Sequence, residues 1–153
     1  MKRSKLREHV FQLLFISDFH DRQDMPEQFE LYLSQFAPML SSKSDDDDEI
    51  ISLAAAKQEV DANKEEIYAR FSDVSAHLDV IDNVLSKATS GWTLNRMNKT
   101  DLIILRLAVY EIMFDENVPE RVAINEAVEL AKAYGGLSSP SFVNGILAKV
   151  VKK

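Results

Sequence analysis

The sequence predicts an all-α protein of about seven helices, and three observations carry that prediction. Apolar residues recur at three- and four-residue spacing along most of the chain, the period of one helix face. No stretch sustains every-second-residue alternation, and no Asn-Gly or Asp-Gly turn joins two strand-like runs; Asn144-Gly145 sits inside a helical pattern. The segment from Asn98 to Val151 carries three apolar helices with their own start and stop residues.

Helix one is expected from about Ser4 to His20. Leu6, Val10, Leu13, Leu14 and Ser17 share one stripe, which Phe11 and Phe15 widen. Ser4 is the expected N-cap, because a hydroxyl can accept from the free amides of a first turn. Helix two begins near Pro26, whose missing N–H costs nothing there. Its Phe29, Leu31, Leu33, Phe36 and Leu40 are apolar on more than one face, and Pro38 disturbs the final turn.

Residues 41–49 (SSKSDDDDE) form a polar break, read as a solvated linker or the acidic entry to the next helix. A calcium loop would space its oxygens and include a glycine, and the Asp45–Asp48 run does neither. Residues 48–89 read as a long helix, a bend near Ala76–Asp79, and a shorter helix with the stripe Val74, Leu78, Ile81, Val84 and Leu85. Ser90-Gly91 closes it, and Trp92 and Leu94 are expected to plug the connection into the core.

Helix five starts near Asn98, with Asp101 three residues on as in a capping box. It is apolar nearly all round, from Leu102 to Met113, so it belongs at the centre of the fold. Pro119 opens helix six, whose Val122, Ile124, Ala127, Val128 and Ala131 form its stripe and whose stop is Gly135-Gly136. Ser139 caps helix seven, with Pro140 in its first turn. Gly145 inside this helix costs roughly 1 kcal/mol against alanine, which suggests a close helix approach.

The 153 residues favour one domain, or two small halves sharing a core. Cysteine is absent, so disulfides and thiolate nucleophiles are excluded, and a reducing cytoplasm is the expected compartment. No uncharged run approaches the length needed to span a bilayer. The N-terminal MKRSKLREHVFQLLF lacks a small-residue cleavage site, so no signal peptide and no membrane association are expected.

The formal net charge of −7 is unevenly spread. Lys2, Arg3, Lys5 and Arg7 crowd the first residues, and Lys149, Lys152 and Lys153 close the chain with no acid among residues 140–153. Basic ends on an acidic body can mark contact with a polyanion; solvated termini give the same pattern.

No catalytic constellation emerges. His9, His20 and His77 are scattered without a ligand pair, so neither a metal nor another cofactor is expected. His9 reads as a surface or half-buried polar residue. Glycine-rich phosphate loops and nucleophile elbows are absent, which argues against an enzyme. Binding chemistry is better represented. Lys2, Arg3, Lys5 and Arg7 at the start of an amphipathic helix can neutralise phosphates. Gln12 offers an amide for base edges, and Phe15 and Phe142 offer rings for stacking, though each ring also suits a core.

The blocks LREHVFQLLF (Leu6–Phe15), GWTLNR (Gly91–Arg96), DLIILRLAVYEI (Asp101–Ile112) and VPERVAINEAVELAKAYGGLSSPSFVNGIL (Val118–Leu147) resemble the NusB family of bacterial transcription antitermination factors, in its order and spacing. Residues 21–66 follow the family pattern less closely. The resemblance implies two small helical bundles packed across each other. It implies binding to a boxA-type single-stranded RNA in ribosomal RNA leaders, together with the small-subunit ribosomal protein NusE, on an elongating RNA polymerase. By position, Lys2, Arg3, Lys5 and Arg7 match the family's basic RNA-contacting arm, and Gln12 matches a glutamine on the same face. Phe142 and the Ser138–Ser141 loop match an RNA-proximal corner, where Ser138, Pro140 and Ser141 stand in place of charged residues. Phe15 and Asp101 match positions facing the protein partner.

Residues 1–153 are therefore expected to form a single helical domain with its acidic linker near 41–49. Two other readings stay open from sequence: a protein-only adaptor or homodimer built on the apolar helices, and the detached accessory RNA-binding domain of a ribosomal RNA methyltransferase.

Overall fold

The computed structural model describes residues 1–42, 52–90 and 93–152. Every regular element among them is helical: α1 (Arg3–Ser17), α2 (Met25–Leu31), α3 (Ala37–Ser42), α4 (Leu53–Ala76), α5 (Leu78–Ala88), α6 (Lys99–Phe114), α7 (Glu120–Tyr134) and α8 (Ser139–Val151). A π-turn, Tyr32–Phe36, joins α2 to α3 without a break, so the described residues form seven helical stretches plus two short 3₁₀ turns. This is the expected all-α fold. The Asp45–Asp48 run, Gly91 and Trp92 lie outside the described residues, as do the expectations attached to them.

Two compact units divide the chain, Met1–Ser72 and Asp73–Lys153. In the first, α1 packs on α2 and α3, and Phe29 of α2 meets Tyr68 of α4 with ring centroids 4.8 Å apart. α1 begins one residue before the expected Ser4 cap. Its N-cap is Lys2, in extended conformation and with no side-chain cap bond. The Lys2 carbonyl accepts from the Lys5 and Leu6 amides, so the backbone closes the first turn unaided. α1 ends at Ser17, and Asp18–His20 only turn.

Pro38 acts upstream of where it was expected to. The helix runs on to Ser42, and the irregularity is the wide turn before it, closed by Ala37 N–H donating to Tyr32 O. Pro38 has no N–H to return to the preceding turn, and an i→i+5 turn absorbs that loss. One consequence is that Phe36, a helical step of four from buried Tyr32, is turned out to solvent while Ala37 goes in.

In the second unit α6 is the central element, packed by α5, α7 and α8. Leu102 to Leu105 are buried without interruption, as its all-round apolar pattern requires. Asn98 caps it, its Oδ1 accepting from Thr100 N at 2.9 Å and Asp101 N at 3.4 Å. The expected bend is real: His77 leaves helical geometry between α4 and α5. Arg106 of α6 grips Asp82 of α5 through two bonds of 2.9 Å, a fork geometry that fixes the register of the two helices.

α7 differs from its expected stripe. Ala123, Ala127, Leu130 and Ala131 face inward while Val122 is exposed. Alanines let two neighbouring helices approach closely, and that contact outweighs the larger apolar volume of valine. Ser139 is the first residue of α8 and not its cap. Its Oγ reaches back to accept the Gly136 N–H at 3.1 Å. Gly145 is exposed, and a side chain there would meet nothing within 4 Å, so the expected close approach is absent. Gly145→Ala should therefore stabilise the protein by about 0.5–1 kcal/mol, because only backbone entropy changes. A urea midpoint that falls in Gly145→Ala would contradict this.

Candidate nucleic-acid interface

The inner face of α1 is fully committed to packing. Leu6, His9, Val10, Leu13 and Leu14 are buried, and the residues left partly open at helical spacing are Lys5, Glu8, Gln12, Phe15 and Ile16. That outer stripe begins at a first turn without a single acid. The amide ends of the turn and the exposed Lys2 and Arg3 therefore add to one positive field.

The four expected cations divide into two pairs. Lys2 and Arg3 are exposed. Lys5 is half-buried, its Nζ donating to Leu40 O at 3.3 Å and lying 3.7 Å from Glu8 Oε2. Arg7 is only 8% exposed. A guanidinium so enclosed holds structure before it can reach a phosphate.

Gln12 lies half-open two turns from Lys5. Phe15 is also half-open and stands in a ladder of rings, 6.4 Å from Phe11 and 5.2 Å from Phe19. Phe19 is exposed, and it belongs to no apolar stripe drawn from the sequence although it falls inside the helix expected there. Its spacing of four from Phe15 was the available signal.

His9, expected near the surface, is completely buried. Its Nδ1 is 2.6 Å from the Tyr32 hydroxyl of the π-turn, with the rings edge-on at 5.8 Å. Burial, and secondarily the charge of Lys5, lowers its pKa to about 4. The imidazole is therefore neutral at pH 7 and serves as a strut between α1 and the π-turn.

The second unit holds the remaining candidates. Phe142 is half-buried in the first turns of α8, beside exposed Ser138 and Ser141 and half-buried Pro140. Leu137, at the tip of the preceding loop, is wholly exposed. Asp101 is buried, and its Oδ1 has no hydrogen-bond partner among the described residues. It thus stands beneath the surface it was expected to form, with an acceptor still open. Among the described residues no three His, Asp or Glu side chains gather as a metal site. No described helix is long and apolar enough to cross a membrane.

Comparison with known proteins yields one family. Residues 4–152 match the NusB family. The Transcription antitermination protein NusB of Lachnoclostridium phytofermentans is 46% identical over 151 residues, covering 99% of both chains. That of Agathobacter rectalis is 42% identical over 149 residues, with 97% of this chain and 98% of the relative covered. The solved structure of T. maritima NusB superposes with a TM-score of 0.70 at 30% identity, covering 100% of this chain and 92% of that one.

Proposed function

The chain belongs to the NusB family, and from that premise we propose that it is a transcription antitermination factor. It binds a boxA-type single-stranded RNA of ribosomal RNA leaders jointly with the ribosomal protein NusE, and the pair acts on an elongating RNA polymerase in the cytoplasm. The match running from residue 4 to residue 152 carries this reading, because it takes in Lys5, Arg7, Gln12 and Phe15 of the first unit and Asp101 and Phe142 of the second, with Lys2 and Arg3 just ahead of it. For the same reason we treat residues 1–153 as one working domain.

Roles follow from exposure. Lys2 and Arg3 meet phosphates, since exposed cations can exchange their counterions for a polyanion. Lys5 and Arg7 hold the first turns in place and add charge from beneath. Gln12 addresses a base edge, and Phe142 offers its half-open ring to a base. Phe15 and Asp101 face NusE. The open Oδ1 of Asp101 suits a donor from a protein partner, which would satisfy a carboxylate otherwise buried at a cost.

Titrating a labelled boxA-like oligoribonucleotide across a salt series, with and without NusE, tests the reading. Each phosphate contact on a single strand contributes about 0.7 to the slope of log affinity against log salt. Lys2→Gln/Arg3→Gln should lower that slope by about 1.4 and leave thermal stability unchanged. NusE should tighten RNA binding by both wild type and variant. Identical salt slopes for wild type and variant would remove the arm from the interface.

A further inference from the structure

We propose that the corner where α5 begins and α6 ends is a docking surface for a basic, partly apolar segment of a partner protein, separate from the RNA-binding residues. His77, at the break between α4 and α5, stacks on Phe114 with centroids 4.3 Å apart. Phe114 in turn packs on Tyr110 at 5.6 Å, and the Tyr110 hydroxyl donates to the Asp73 carboxylate. His77 Nδ1 is 2.7 Å from the Asp73 carbonyl oxygen. These contacts fix the rings in place: Tyr110 is buried, while His77 and Phe114 stay partly exposed. Phe114 is 38% exposed, its neighbour Met113 40%, and Val80, one turn beyond His77 on α5, 47%. A fixed aromatic and aliphatic patch of this kind is what interfaces are built on.

Charge selects the occupant. The two stretches that form the corner, residues 71–86 and 107–120, contain no lysine or arginine. Asp73, Asp79, Glu116 and Glu120 are exposed on them. A phosphodiester strand would be repelled here. A second copy docking symmetrically would set these acids against themselves. An arginine-bearing segment gains twice: its guanidinium can lie on the Phe114 ring, and its charge answers the surrounding carboxylates. The surface stands independently of the antitermination reading.

The test uses the full chain and a short fluorescein-labelled peptide of alternating arginine and leucine, followed by anisotropy. Wild type should bind it. Phe114→Ser, and separately Asp79→Asn/Glu116→Gln, should each weaken binding about tenfold. The control Glu27→Gln/Glu30→Gln removes the same charge from α2 and should stay within about twofold. Val80→Ser supplies a second apolar variant if Phe114→Ser melts early. RNA binding should be unchanged in Phe114→Ser. Four results would each overturn the proposal: no peptide binding by wild type, equal loss in the α2 control, loss of RNA binding in Phe114→Ser, or a wild-type dimer in sedimentation that Phe114→Ser dissolves.

Discussion

Between pH 7 and pH 4 the protein is expected to lose about 3 kcal/mol of folding stability through His9 alone. The pKa of His9 is about 4 in the folded protein against an ordinary value of 6.5. Between those values the unfolded chain binds a proton that the folded chain refuses. Stability is therefore undiminished above pH 6.5, declines as pH falls through the window, and reaches its floor below about 4. The physical cause is local. A neutral imidazole can accept the Tyr32 hydroxyl proton at Nδ1, across 2.6 Å. An imidazolium cannot, and it would sit in a site with no solvent access beside the positive Lys5. His9→Asn keeps an acceptor near Nδ1 and removes the titration. Urea melts of wild type and His9→Asn at pH 7, 5.5 and 4.5 give the comparison. The variant should lose much less stability across the series. Parallel pH profiles would show that His9 is not the titrating group.

Gly135→Ala is expected to destabilise the protein by about 1–3 kcal/mol, the range for forcing an atom into filled space. Backbone conformation is not the reason, because Gly135 has φ −94° and ψ −179°, which any residue adopts. Space is the reason. A methyl group there would lie 2.5 Å from Ser139 Cβ, 2.6 Å from Ser139 Oγ and 2.8 Å from the Ala131 carbonyl oxygen. The Ser139 hydroxyl would have to move, and it holds the Gly136 amide at the start of α8. Gly136→Ala is the internal control, since nothing lies within 4 Å of its added carbon. The urea midpoint should fall for Gly135→Ala and stay near wild type for Gly136→Ala, with equal slopes in both. Equal midpoints would mean that the α7–α8 connection is looser than these contacts require. Because α8 carries Phe142, Gly135→Ala should also weaken RNA binding.

The first prediction depends on a partner 23 positions away and the second on neighbours four residues to either side, and the candidate interface divides along the same line. Lys2, Arg3, Lys5 and Arg7 were legible only as one basic run at the helix start. Arg7 was not legible as a buried residue. It lies in the same basic run, and only the packing of α1 shows that it faces inward while Lys2 and Arg3 face out. His9 looked like one more polar residue near that run, because Tyr32 is 23 positions away and the π-turn that aims it has no sequence signature beyond Pro38. The exposure of Phe19 was not legible because it lies past the last core position of the stripe, and only the observed end of α1 at Ser17 turns it to solvent.

What sequence alone determined is the set of helices, most of their ends, and the family. Apolar spacing, Asn98, Pro119 and the paired glycines act within a turn or two of themselves, so their effect needs no knowledge of the rest of the chain. The tertiary structure decided which face each helix turns inward. It chose alanine over valine on α7, buried His9 and Arg7, and left Phe114 and Met113 open at the end of the most apolar helix. Those choices depend on the volume and polarity of neighbours brought together from afar, and a local pattern carries no record of them.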